Sequence, residues 1–227
     1  MGSNGLKKTT AMKRTLLSLG IALLIIVFAC QGRPLSPGGG PTLGWLPLDF
    51  TGLNEHLEQA GLPELELGLV LSGVSYFGGR EGRKPAFVGL ALSGRRWASR
   101  LERSTRLELL LTGLGLEYGE EASERFGLFV GGFIAPASLT LEVTHRPAED
   151  FRSGLERFSG TALSREFLAF ALYAGGEWAF GIGRLRLSLG YLWAGATTNW
   201  KADGRDFPGP SGRFRAPLIR VVLVLGI

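Results

Sequence analysis

The chain has 227 residues, of which 45% are hydrophobic and 35 are glycine, so it is too apolar for a disordered chain, and its glycines lack the three-residue period of collagen. The net charge of +5 includes Lys7, Lys8, Lys13 and Arg14 near the N-terminus, which leaves only about one excess positive charge on the remainder. This is too little for the clustered basic surface that binds nucleic acid, so no nucleic acid is expected as a partner.

Residues 1–29 are typical of a signal peptide. A basic stretch from Lys7 to Arg14 precedes an uncharged apolar run from Leu16 to Ala29, which is shorter than the roughly 20 residues of a membrane-spanning helix. We therefore expect export. A start at Met12 and retention of the segment as an anchor helix are the alternatives.

Cys30 follows this segment and is the only cysteine, which excludes an intramolecular disulfide. The tetrapeptide Val27-Phe28-Ala29-Cys30 resembles the bacterial lipoprotein box, in which the cysteine becomes the lipidated first residue. It departs from that box at Phe28, where a small residue is usual. Ordinary signal peptidase cleavage before Cys30 fits equally well, so Cys30 is a candidate lipidation site.

Two short segments separate the signal peptide from the main domain. Residues 30–50 are predicted to be a linker, because their prolines and glycines favour neither a helix nor a strand ladder. Residues 51–63 are predicted to form one short helix, with Thr51 as its N-cap and Pro63 beyond its end.

From Glu64 onward, apolar residues recur with a period of two, which predicts β-strands. In the clearest segment, Arg184 to Trp193, the large apolar side chains share one face. The third strand changes phase after Leu111, and a bulge near Thr112-Gly113 would keep its apolar face continuous. We predict an all-β fold, an eight-stranded antiparallel up-and-down barrel over residues 64–227 with one short N-terminal helix. The predicted strands are 65–77, 85–97, 105–118, 125–135, 137–146, 166–181, 184–194 and 216–227.

The strand faces opposite the apolar ones are rich in glycine, alanine and arginine and poor in lysine. Such faces suit a crowded barrel interior, and tyrosine and tryptophan lie near strand ends, as in outer-membrane barrels. The chain does not end in an aromatic residue, as bacterial barrels usually do. A secreted soluble sandwich or barrel, with the apolar faces as its core, is therefore the alternative. In the membrane barrel, the predicted outer loops are 78–84, 119–124, 147–165 and 195–215, and the predicted periplasmic turns are 98–104, 135–137 and 181–184.

Six charged residues share the polar faces of the predicted strands. Inside a closed barrel they would have to pair, because an unpaired buried charge is costly. They then form either a structural salt-bridge network or a path for a ligand or ion. The six are Arg106, Glu108, Glu142, Glu177, Arg186 and Arg220.

Catalytic and metal-binding patterns are weak in this sequence. His56 and His145 are the only histidines, and they have neither the serine arrangement of lipid-trimming barrel enzymes nor acids at metal-ligand spacing. The glycines do not form a nucleotide-binding loop. We expect no enzymatic activity, no metal and no cofactor, and a hydrolase of lipids or cell wall is the alternative.

Short motifs in residues 48–227 resemble an uncharacterised family of glycine-rich exported proteins of thermophilic bacteria and, more generally, small outer-membrane β-barrels. The resemblance implies export and β-architecture, and no activity. We expect an exported cell-envelope barrel in the outer membrane, with lipid as its partner and a structural, adhesive or small-solute role. The alternative is a tethered or periplasmic lipoprotein whose soluble barrel binds an apolar ligand or a protein partner. The motifs are Leu53-Asn54-Glu55-His56-Leu57, Ala60-Gly61-Leu62-Pro63, Gly78-Gly79, Phe129-Val130-Gly131-Gly132, Leu189-Gly190-Tyr191-Leu192 and Pro208-Gly209-Pro210.

Overall fold

The computed structural model describes residues 37–78, 85–100, 103–144, 160–181, 183–210 and 212–225. Within these ranges the chain forms ten strands and one helix. No helix in these ranges is long and apolar enough to cross a membrane. The elements are β1 (Gly38–Leu46), α1 (Thr51–Gln59), β2 (Leu69–Gly78), β3 (Ala86–Arg100), β4 (Arg103–Ser123), β5 (Phe126–Thr144), β6 (Gly160–Phe180), β7 (Gly183–Ala196), β8 (Trp200–Ala202), β9 (Arg205–Phe207) and β10 (Arg213–Leu225).

Eight of the strands close into an antiparallel barrel, which confirms the predicted fold class. Strands β1 to β7 pair in sequence order, and β10 pairs with both β7 and β1. Following paired residues once round the barrel from Leu225 leads back to β10 at Arg215, a displacement of ten residues. This stagger tilts the strands by about 40° and gives a barrel narrow enough for side chains to fill. The path runs through Gly39, Tyr76, Gly89, Leu114, Ile134, Phe170 and Trp193.

The first strand lies in the segment predicted to be a linker, so that prediction is wrong for Gly38–Leu46. The glycines here permit close strand approach, since a Cβ at Gly40 would collide with the carbonyl oxygen of Leu223. Pro41 is exposed on the outer face. The strand closes the barrel between β2 and β10.

The two strands predicted over 125–135 and 137–146 are one strand, β5. Pro136 lies in its middle, faces outward and pairs with Leu168 of β6. The pairing of β5 with β4 is interrupted between the pairs Leu111–Ala137 and Leu114–Ile134, but the register is the same before and after the interruption. The bulge expected near Thr112-Gly113 is therefore absent, and the described register of β4 shifts only between Glu121 and Ser123. The predicted number of strands is still eight, because the prediction omits β1 but counts β5 as two strands.

The two ends of the barrel differ in the lengths of their connections. At the terminal end, where β1 begins and β10 ends, the strands are joined through 79–85, 124–125 and 181–182. At the loop end they are joined through 47–68, 101–102, 145–159 and 197–212. The long segments predicted over 147–165 and 195–215 do share an end, opposite the predicted turn at 181–184. The predicted outer loops 78–84 and 119–124 belong to the terminal end and the turn 98–104 to the loop end, while 135–137 is inside β5. The error follows from the missed β1 and the divided β5, which reversed the assumed direction of the strands between them.

The helix packs into the loop end of the barrel. Its Leu57 belongs to the apolar core that also contains Leu107 and Leu141. The Asn54 side chain exchanges two hydrogen bonds of 2.9 Å with the backbone of Leu65. Arg103 donates hydrogen bonds to the carbonyl oxygens that follow the helix. These contacts hold the β1–β2 connection against the barrel.

The helix begins one residue earlier than predicted. Thr51 is the first helical residue rather than the N-cap, and its backbone N–H donates to Oδ1 of Asp49 at 2.9 Å. The hydrogen bonds from Thr51 hold the pKa of Asp49 below its usual value.

A small hairpin extends the sheet at the loop end. Strands β8 and β9 pair with each other, and Lys201 of β8 pairs with Ser164 of β6. The turn uses Asp203 and Gly204, which both have positive φ, as a two-residue hairpin turn requires. Arg165 holds the base of the hairpin by donating to the carbonyl oxygens of Thr198 and Pro210.

Candidate functional site

The outer surface of the barrel carries a wide belt without charged side chains. On each of the eight strands, every outward-facing residue in the belt is apolar, glycine, serine, threonine or tyrosine. Many of these side chains are large and exposed, among them Leu114, Phe87 and Trp178. The outward positions alternate within 39–45, 70–76, 87–93, 110–118, 126–136, 168–180, 185–193 and 217–225.

The belt is about 20–25 Å high, given a rise of about 3.3 Å per residue and a tilt of about 40°. Aromatic side chains are exposed near both of its edges. Trp45, Phe170 and Trp193 lie towards the loop end, and Trp178 and Phe180 towards the terminal end.

Charged side chains appear on the outer surface at one level, immediately beyond the belt on the loop-end side. The first outward charges along β3, β4, β6 and β10 are Arg95, Glu108, Glu166 and Arg215. Allowing for the strand tilt, these transitions lie within about 5 Å of one another along the barrel axis. The belt therefore has a level edge.

Three of the six predicted site residues lie in this outer charged zone and not inside the barrel. Arg106 lies 3.6 Å from Glu108 and 3.5 Å from Glu142, and Arg95 bonds Glu108 at 3.1 Å. All of these side chains are partly exposed, so the pairs contribute little to stability. The prediction was wrong because at the loop end the interior is apolar, and Leu107 and its neighbours of the same parity point inward.

The other three predicted residues, Glu177, Arg186 and Arg220, do point into the barrel and are buried. The structure adds Glu117, Tyr173 and Arg184 to them. We call these six side chains the interior network: Glu117, Tyr173, Glu177, Arg184, Arg186 and Arg220.

Two carboxylates organise the interior network. Glu117 accepts hydrogen bonds from Arg186 through Oε1 and from the hydroxyl of Tyr173 through Oε2, the latter at 3.1 Å. Glu177 pairs through Oε1 with Arg184 at 3.1 Å and through Oε2 with Nε of Arg186 at 3.3 Å. Buried charges placed like this need both a partner and hydrogen bonds to offset their lost hydration.

Aromatic rings complete the packing around these charges. The guanidinium of Arg186 lies between the rings of Phe77 and Phe129, 3.8 and 4.1 Å from their centres. Arg220 lies 4.5 Å from the ring centre of Tyr173 and donates from Nε to the Oγ of Ser188 at 3.3 Å. The network and these rings link β2, β4, β5, β6, β7 and β10 across the interior.

Glu117 was missed although its strand carries a usable signal. Gly113, Gly115 and Glu117 alternate with Leu114, Leu116 and Tyr118, the pattern that also places Arg186 on a polar face. Tyr173 belongs to a row of inward alanines and glycines, where its hydroxyl has no sequence signature.

The described part of the chain holds no group of three His, Cys, Asp or Glu residues able to bind a metal ion. His56 is exposed on α1. Cys30 and His145 lie outside the described residues.

Fold and side-chain distribution together define a class, a closed eight-stranded antiparallel β-barrel with an apolar outer belt and an interior that is charged in its terminal-end half and apolar in its loop-end half. No protein-family model matches the chain, and no curated protein matches it. Its resemblance to the glycine-rich exported family stays a prediction.

Proposed function

We propose that this chain is an outer-membrane-type barrel that spans a lipid bilayer in the cell envelope. The uncharged belt carries the proposal, because it has the height of the apolar band of such barrels, about 25 Å, and aromatic residues near both edges. Closure supports it as well, since a strand can cross lipid only if all its backbone groups are paired. The level edge of outward charges, with Arg95 and Arg215 on well-separated strands, is what a headgroup boundary would require.

The lengths of the connections support an orientation. Outer-membrane barrels have short turns on the periplasmic side and longer loops outside. The terminal end has 79–85 and the short connections 124–125 and 181–182, and the loop end has the long connections 47–68, 145–159 and 197–212 beside the short 101–102. We therefore place the terminal end at the periplasm and α1 and the β8–β9 hairpin outside.

The proposed role is structural or adhesive. The terminal-end half of the interior is crossed by the interior network, and the loop-end half is packed with leucines against Leu57 of α1. A filled eight-stranded barrel does not pass solutes. The surfaces that remain to meet a partner are then the outward-facing connections of the loop end.

The distribution of apolar side chains favours this proposal over a soluble barrel for an apolar ligand. A soluble barrel would bury its large apolar residues inside and expose charge throughout. Here Leu114 is 77% exposed and Phe87 69%, and both belong to one continuous belt far larger than the apolar patches of soluble monomers.

A lipidated Cys30 would be compatible with this orientation. Cys30 precedes Gly38, the start of β1, by eight positions, which gives a reach of at most about 29 Å. An acyl chain on Cys30 would thus enter the leaflet at the terminal end.

Fractionation of a Gram-negative host that exports the full chain tests the proposal. We expect the mature protein in the outer-membrane fraction, resistant to extraction with alkaline carbonate and released by detergent. It should also migrate differently on denaturing gels before and after heating. Release by carbonate into a monodisperse, detergent-free form would refute the membrane assignment. Mass spectrometry of the same sample reports the N-terminus, and an unmodified Cys30 or cleavage elsewhere would exclude lipidation.

A further inference from the structure

Arg220 is the only arginine of the interior network without a carboxylate partner. Its side chain is 1% exposed. Its Nε donates to Ser188, but Nη1 has no hydrogen-bond partner among the described residues. Nearly all buried polar groups in proteins are paired, so a free donor on a buried guanidinium calls for an acceptor.

The carboxylates of the network are already engaged. Both oxygens of Glu117 accept hydrogen bonds, from Arg186 and from Tyr173, and both oxygens of Glu177 form ion pairs with arginines, although Oε2 of Glu177 and Nε of Arg186, 3.3 Å apart, form no hydrogen bond. The network therefore contains three guanidinium groups and two carboxylates, and the unmatched positive charge belongs to Arg220. An uncompensated charge is costly in a barrel interior.

Small and hydroxyl-bearing residues lie beside Arg220 on the neighbouring strands. Its paired residue on β7 is Ser188, and its paired residue on β1 is Gly44, against which the side chain of Leu71 packs. Thr42, two residues before Gly44 on the same inward face of β1, shares a hydrogen bond of 2.9 Å with the buried Ser75 of β2. Hydroxyl and guanidinium donors of this kind bind a small anion better than an apolar group.

We propose that Nη1 of Arg220 binds a small inorganic anion, such as chloride, inside the barrel. An anion supplies both the missing acceptor and the missing negative charge, whereas a water molecule supplies only the acceptor. The site lies in the barrel interior, so it does not depend on whether the outer belt faces lipid. Folding and anion binding are then thermodynamically linked.

Urea unfolding of the detergent-solubilised protein at constant ionic strength measures this linkage, with gluconate replacing chloride. Once chloride exceeds its dissociation constant, a tenfold rise should increase the folding equilibrium constant about tenfold. Urea is needed because guanidinium chloride would bring its own chloride. Arg215→Gln is the matched control, since it removes an outward charge from the same strand and should keep the chloride dependence. Arg220→Gln should abolish it.

A chloride-independent equilibrium in the unsubstituted protein would mean that Nη1 has an ordered water only, and would overturn the proposal. A chloride dependence that survives in Arg220→Gln would overturn it too. If Arg220→Gln does not fold, crystals of the unsubstituted protein grown in bromide decide the question. An anomalous peak beside Nη1 supports the site, and a map without that peak refutes it.

Discussion

Leu114→Arg is the substitution that most directly distinguishes lipid from water around the belt. Leu114 is the middle one of the five outward belt residues of β4, between Leu110 and Tyr118, and is 77% exposed. Its side chain fills no core, so its replacement leaves no cavity. Any large loss of stability must then come from the medium that surrounds the belt.

The expected magnitude differs between the two media. An arginine on the lipid face at the bilayer midplane destabilises a barrel by about 2–4 kcal/mol, which is roughly a 30- to 900-fold change in the folding equilibrium constant at about 1.36 kcal/mol per tenfold. A comparable substitution on an exposed surface in water stays within about 0.5 kcal/mol. We expect the larger effect.

Ser99→Arg is the matched control. Ser99 faces outward on β3, the strand beside β4, and is exposed beyond the belt at the loop end. The same arginine there should cost about 0–1 kcal/mol, as it does near a bilayer interface.

Urea titration of the protein in phosphatidylcholine vesicles, followed by tryptophan fluorescence, gives both free energies of unfolding. The reasoning about the belt is refuted if Leu114→Arg costs no more than Ser99→Arg. A large loss of stability for Ser99→Arg alone would mean that the bilayer surrounds the loop end of the barrel and not the belt.

Two further substitutions test the interior. Glu117→Gln should destabilise the barrel by about 3–5 kcal/mol, because it leaves Arg186 and Tyr173 with a neutral partner in a buried site. The control Glu108→Gln, in the exposed outer zone, should cost less than about 1 kcal/mol. Equal losses in urea unfolding would show that Glu117 is not buried among charges. Gly115→Ala should lower the free energy of unfolding by about 1–3 kcal/mol, because the added Cβ would collide with the carbonyl oxygen of Gly132. The control Gly195→Ala should be nearly neutral, because a Cβ there meets nothing within 4 Å. A neutral Gly115→Ala would contradict the close approach of β4 and β5.

The period-two pattern was sufficient to predict the fold class, because long strands such as β6 and β7 repeat it over many residues. It failed for β1, whose glycines and Pro41 have the composition of a linker. Only the pairing with β2 and β10, far away in the sequence, makes that segment a strand. Local sequence carries no information on that closure.

Proline misled the prediction in the opposite direction at Pro136. A proline normally marks a strand end, because it cannot donate to the ladder. Within β5 the interruption is confined to the β4 side, and the pairing with β6 continues through Pro136 and Leu168. A long strand with two partners tolerates the lost donor.

Three of the six predicted site residues lie inside the barrel and three lie outside, for a related reason. Parity tells which residues share a strand face but not which face is inside. For Arg186 and Glu177 the polar face is the interior, whereas for Arg106 and Glu142 it is the exterior. Whether the polar face lies inside or outside depends on the level of the residue along the barrel axis, and that level depends on the strand pairing.

The phase change of β4 has a physical cause in this reversal. Leu107 and Leu109 point inward where the outer surface is charged, and Leu114 and Leu116 point outward where the interior is polar. No bulge is needed, because the alternation is unbroken and only the surroundings of each face change. A barrel in water has no reason to change its outer face from charged to apolar at one level on several strands. A barrel that passes from water into lipid must do so, because only its outer face meets the lipid, and the change from Glu108 to Leu110 on β4 therefore supports the proposed membrane boundary independently of the belt's height.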